Sequence, residues 1–137
     1  MSVPLYKRGK SKFELANRAD EIAAFTLEMC SKEKVFPKRY RWCITARLVD
    51  AMFEMCENIK MANSITVKDA SDFALRKTYQ TKALAITNSI FNIMDIAYRR
   101  FPIEDHTISY WTTKMQDVQN LIRSWRDSDI KRYAEVV

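Results

Sequence analysis

The sequence predicts an all-α protein, an antiparallel up-down-up-down four-helix bundle, and three observations predict it. Glycine occurs once, at Gly9, and the only prolines are Pro4, Pro37 and Pro102, so the backbone has almost none of the punctuation that sheets and tight turns need. Apolar residues recur at alternating steps of three and four in four separate stretches, the spacing that keeps side chains on one helix face. The chain has 137 residues, 47% of them hydrophobic, which is enough for one domain around one continuous core.

Residues 1–10 carry Lys7, Arg8 and Lys10 around Gly9 with no periodic apolar face, and are expected to form a flexible basic arm. The bundle is expected over 11–126. Ser11 followed by Glu14 is a capping box, each side chain accepting a backbone N–H that the first helical turn leaves unpaired. Helix one starts there, buries Leu15, Ala19, Ile22, Thr26 and Met29, and ends in the charged run 31–34. Pro37 suits the first turn of helix two, which continues through Ile44, Leu48, Met52, Met55 and Ile59 to about Asn63.

A polar stretch, 64–72, breaks the chain before helix three, whose expected stripe is Leu75, Tyr79, Ala83, Ile86, Ile90, Ile93 and Ala97. Pro102 stops it, because the residue before a proline avoids helical geometry. Helix four has the cleanest seam, Ile108, Trp111, Met115, Val118, Ile122 and Trp125, as shallow antiparallel packing requires. Residues 127–137 are expected to be a charged tail that frays. Phe25, Phe53 and Phe91 lie outside the main stripes, an apolar surplus that suggests self-association.

No run approaches the ~20 apolar residues needed to span a bilayer, and the first residues lack the apolar stretch of a secretory signal, so a cytoplasmic protein without membrane contact is expected. Cys30, Cys43 and Cys56 are odd in number and thirteen residues apart each time, which suits neither a zinc site nor a complete disulfide framework. They are expected to be buried thiols, with no metal and no cofactor. His106, the single histidine, suits a loop or helix-capping role better than a general base. Asp50, Glu54 and Glu57 share a helix face like a ligand row of di-iron bundles, but such sites also need Glu-x-x-His pairs that one histidine cannot supply. No catalytic motif is present, and no enzyme is expected.

The formal charge is +6, and its placement is informative. Residues 1–48 contain eleven Lys or Arg against five Asp or Glu, whereas 49–137 contain twelve of each. One-sided basic charge is what a polyanion-binding surface needs, because each phosphate neutralised releases condensed counterions. The densest cluster is Lys32 and Lys34 followed by Lys38, Arg39, Tyr40, Arg41, Trp42 and Arg47. Its cations suit phosphate contact, and its aromatics are expected to pack into the bundle end, though aromatics among cations also stack on exposed bases. Arg123, Arg126, Lys131 and Arg132 form a second cluster, where the helix dipole also favours cations.

The opening Ser2-Val3-Pro4 with 7–12, the segment Phe36-Pro37-Lys38-Arg39-Tyr40-Arg41 running into 45–50, and the closing Tyr110-Trp111 with 120–129 resemble the accessory variability determinant proteins of diversity-generating retroelements. These belong to a wider group of small four-helix-bundle proteins that includes those encoded in intervening sequences of large-subunit ribosomal RNA genes. The resemblance implies a barrel-like homopentamer that binds the element's reverse transcriptase and contacts template RNA, or DNA or an RNA-DNA hybrid, through a basic surface. It would support mutagenic complementary-DNA synthesis while the polymerase does the chemistry. Carried onto this chain, it points to Lys38, Arg39, Arg41 and Arg47 for the RNA or polymerase surface, then to Arg123 and Arg126, with Lys7, Arg8 and Lys10 adding tail contacts. The alternatives are a ribosomal intervening-sequence protein and a protein-only interaction scaffold.

Overall fold

The computed structural model describes residues 14–136, so Ser11 and the expected basic arm lie outside the described residues. Four helices carry the fold: α1 Glu14–Cys30, α2 Ala46–Ser64, α3 Ala70–Arg100 and α4 Asp105–Arg132. α2 packs against α1 and α3, α3 against α4, and α4 closes on α1. Each helix therefore lies beside its sequence neighbours, and the chain forms the expected all-α up-down-up-down bundle. Among the described residues no helix is long and apolar enough to cross a membrane.

The stripe expected for α1 is buried throughout, as are Leu48, Met52, Met55 and Ile59 of α2 and Trp111, Met115, Val118 and Ile122 of α4. The start of the second helical segment differs from the continuous helix expected. After Pro37 the chain makes one 3₁₀ turn, Lys38–Tyr40, and one π turn, Arg41–Thr45, before α2 begins. Arg41 stands seven residues before Leu48, which in an unbroken α-helix would aim it at the core. The π turn takes up an extra residue and turns Arg41 outward, where it is exposed.

α3 opens on a reciprocal cap. The Asp69 side chain accepts from the Asp72 N–H at 2.9 Å, and Asp72 accepts from the Lys68 N–H at 3.0 Å. Its buried face matches the expected stripe only in part: Ala83, Ile90 and Ala97 are buried, and Ile86 and Ile93 pack against the core. Leu75 is 49% exposed, and the face that packs inward is Phe73, Arg76, Gln80, Ala83, Thr87, Ile90, Met94 and Ala97. The steps of three and four are kept, but three positions are polar, and each finds a partner across the core. Arg76 Nε and Gln80 Nε2 each donate to Asp129 Oδ2 at 2.7 Å. Thr87 Oγ1 accepts from Gln119 Nε2 at 2.9 Å. A similar bond joins α4 to α1, where Trp111 Nε1 donates to Thr26 Oγ1 at 3.0 Å.

The tail expected from residue 127 requires correction. α4 runs on to Arg132, and Asp129 is only 3% exposed. Arg76, its partner, also donates to the Ile65 carbonyl at 3.2 Å and lies 5.3 Å over the Trp125 ring. One guanidinium thus joins α3, α4 and the α2–α3 connection. The apolar surplus is also smaller than expected. Phe25 and Phe91 pack against the core, Phe25 edge-on to Tyr110 and Trp111 at 5.2 and 5.9 Å, and Phe53 alone of the three is exposed, at 45%.

Removing one partner of a buried ion pair leaves the other charge uncompensated. Asp129→Ala is therefore expected to lower unfolding stability in urea by about 3–5 kcal/mol, and truncation after Arg126 by a comparable amount. The double change Arg76→Met with Asp129→Leu is expected to recover most of the loss. Full stability after truncation would contradict the assignment of this pair.

Candidate nucleic-acid interface

The α1–α2 connection and the α3–α4 connection meet at one end of the bundle, and aromatic rings join them. Phe36 sits edge-on to Phe101 at 5.2 Å and to Trp111 at 6.1 Å, and Tyr40 lies 5.2 Å from Phe101. These contacts fix the 3₁₀ turn against the C-terminus of α3, and with it the residues that follow. Two guanidiniums lie over the Tyr40 ring, Arg39 at 5.2 Å and Arg100 at 5.3 Å, and Arg100 Nη2 also donates to the Tyr40 hydroxyl at 2.5 Å. Both are cation–π arrangements with the charge left exposed to solvent.

The structure thus brings Lys38, Arg39, Arg41 and Arg47 to one end, with Lys32 and Lys34 in the adjoining turn. Arg47, at the start of α2, borders a groove shared with Cys43, Ile44, Asp50, Ile93 and Ile96. Lys38 pairs with Glu33 at 3.0 Å in solvent. Among the described residues no carboxylate lies within ion-pair distance of Arg39, Arg41, Arg47 or Arg100. Two acidic groups near this end are engaged elsewhere: Asp95 by Arg99 at 3.1 Å, and Asp105 by the Tyr98 hydroxyl, whose proton it holds, raising the phenol above its usual range. Asp50 and Glu54 lie in the groove beside Arg47, so the local positive surface is centred on Arg39, Arg41 and Arg100.

Arg123 and Arg126 do not join this surface. α4 begins at the cationic end, and Arg123 follows Asp105 by eighteen residues, 123 − 105, or about 27 Å of helix. Arg123 bonds weakly to Asn120 at 3.4 Å, and Arg126 is half-buried with its Nε enclosed and without a hydrogen-bond partner. Lys7, Arg8 and Lys10 lie outside the described residues. Arg99 and Arg100, by contrast, belong to the cationic end and were not among the sequence candidates. The signal was present, since antiparallel topology returns the end of the third helix to the start of the second.

Tyr40 packs into the bundle end as expected, but Trp42 does not: it stands on the π turn and is 82% exposed. Cys43, expected to be buried, is exposed as well, its thiol 3.5 Å from the Tyr40 carbonyl. His106 is exposed in the first turn of α4, 3.4 Å from Glu104. Asp50, Glu54 and Glu57 all face solvent. Among the described residues no three His, Cys, Asp or Glu side chains are grouped to hold a metal.

Burial pushes the Cys30 thiol up to about 12, and burial together with the negative charge of Asp20 does the same for Cys56. At pH 8 a thiol of that strength is thiolate in only about one molecule in ten thousand. Disulfide-exchange titration at pH 8 is therefore expected to find one fast thiol, lost in Cys43→Ser, with Cys30 and Cys56 reacting only in denaturant. Two fast thiols in the native protein would contradict this.

Comparison with family models, with curated proteins and with solved structures finds no match to this chain.

Proposed function

We propose that this chain is a non-catalytic accessory protein of a diversity-generating retroelement, binding the reverse transcriptase and its template RNA and supporting mutagenic complementary-DNA synthesis. The observation that carries the nucleic-acid part of this reading is the convergence of Lys38, Arg39, Arg41, Arg47 and Arg100 on one end of the bundle, four of them without a carboxylate partner among the described residues. A phosphate backbone carries condensed cations, and exposed Lys and Arg that neutralise its phosphates release those ions to solution. Packed rings fix the backbone of this end, and Arg39 and Arg100 rest on Tyr40, so part of the charge is positioned before a ligand arrives.

The polymerase as partner follows from the resemblance of the sequence to the accessory variability determinants, and so does the homopentamer. Self-association has support of its own: Leu27 and Phe53 are each 45% exposed and border one groove between α1 and α2 with Ala23, Ala24 and Cys56. In this role the protein would hold template and polymerase together, raising their effective concentration for one another.

Binding to structured RNA across a salt series tests the reading. Changing Lys38, Arg39, Arg41 and Arg47 together to Gln is expected to flatten the slope of log affinity against log salt by about three to four per engaged subunit. Arg123→Gln, far along α4, is expected to change it by less than about one. An unchanged slope in the fourfold variant, or no RNA binding by the parent, would move the reading to a protein-only scaffold.

A further inference from the structure

The nucleic acid held at this end has a feature that charge alone does not specify. The chain has three tryptophans, and two are accounted for by packing. Trp111 is fully buried with its indole N–H bonded to Thr26, and Trp125 is half-buried beneath Arg76. Trp42 is 82% exposed, while the other exposed large hydrophobic side chains among the described residues reach at most 51%. The usual purpose of a tryptophan, covering apolar area or filling a core, is not served here.

Its surroundings indicate what the indole would meet. Lys38, Arg39 and Arg41 precede it within one turn of chain, and all are exposed. A protein partner that buried the indole would have to bury or neutralise these charges as well. A nucleotide offers an apolar π-face joined to an anion, and complements both features together. Trp42 stands on the π turn, where the backbone departs from the α-helical path, and its indole is left in solvent.

We propose that Trp42 is a stacking platform for an unpaired base, with Arg39 and Arg41 on the flanking phosphates, so that this end selects single-stranded over fully paired RNA. The proposal rests on the nucleic-acid reading above and adds its preference. In a duplex both faces of every internal base are already stacked, so the indole has nothing to cover, whereas the cations act on either form.

The test uses the full chain with two fluorescent RNAs of equal length, an adenine-rich single strand and a perfect duplex, in a titration at fixed salt. The parent is expected to prefer the single strand, with its tryptophan emission quenched on binding. Trp42→Ala is expected to lose about 5- to 150-fold on the single strand and little on the duplex, with an unchanged salt slope because no charge is removed. Trp42→Phe is expected to keep most of the affinity and to lose the quenching, since Trp111 and Trp125 remain as emitters. Binding of both RNAs with a parental salt slope and no dependence on Trp42 would overturn the stacking proposal and leave the polyanion reading standing. A lower assembly mass for Trp42→Ala in sedimentation would overturn it in favour of a subunit contact. Binding of neither RNA by the parent would remove the nucleic-acid reading and the proposal with it.

Discussion

The carboxylate of Asp129 accepts from Arg76 and Gln80 at 2.7 Å each, inside a bundle whose core is otherwise mainly apolar and holds no other buried charge among the described residues. Apolar helix faces attract one another without regard to register, and two such faces can slide by a turn with little loss of buried area. A buried charge cannot. Sliding α4 by one turn, about 5.4 Å, would strand a guanidinium and a carboxylate in a low-dielectric interior, at a cost that outweighs any gain in packing. The Thr87–Gln119 and Thr26–Trp111 bonds act in the same way farther along the bundle. Together they leave α3 and α1 one position against α4, and the geometry of the cationic end inherits that choice.

The sequence made the number of helices and their buried faces legible wherever those faces were apolar. Nearly absent glycine and proline, together with three- and four-residue steps, were enough for α1, α2 and α4. The face of α3 was legible at Ala83, Ile90 and Ala97 but not at its polar positions, because hydrophobicity favours residues such as Leu75 over Arg76, Gln80 and Thr87, and only the partners on α4 make the polar set the better one to bury. The same blindness turned Asp129 into a tail residue, since Arg126, Asp127, Lys131 and Arg132 around it look like solvated charge. A single buried carboxylate is not visible in such a run until its distant partner is known.

The candidate site was half legible. Composition located the cations near Pro37, and topology alone could have added Arg99 and Arg100. The exposure of Cys43 was readable, since an α-helical register sets it on the solvent face with Arg47, Asp50 and Glu54, but that of Trp42 was not, because the same register groups it with the half-buried Ala46 and Val49. The two ends of the bundle also differ in kind. One is closed by an ion pair withdrawn from water, and the other leaves its charges in water and secures only the rings beneath them.

An even number of helices has a practical result. α1 enters and α4 leaves on the side away from Tyr40 and Trp42, since each runs antiparallel to its neighbours. A tag, linker or fused domain attached beyond the end of α4 would hang clear of the cationic end. Tethering this protein to a surface through the end of α4 would present that end outward, like a plug with its contacts facing the solution.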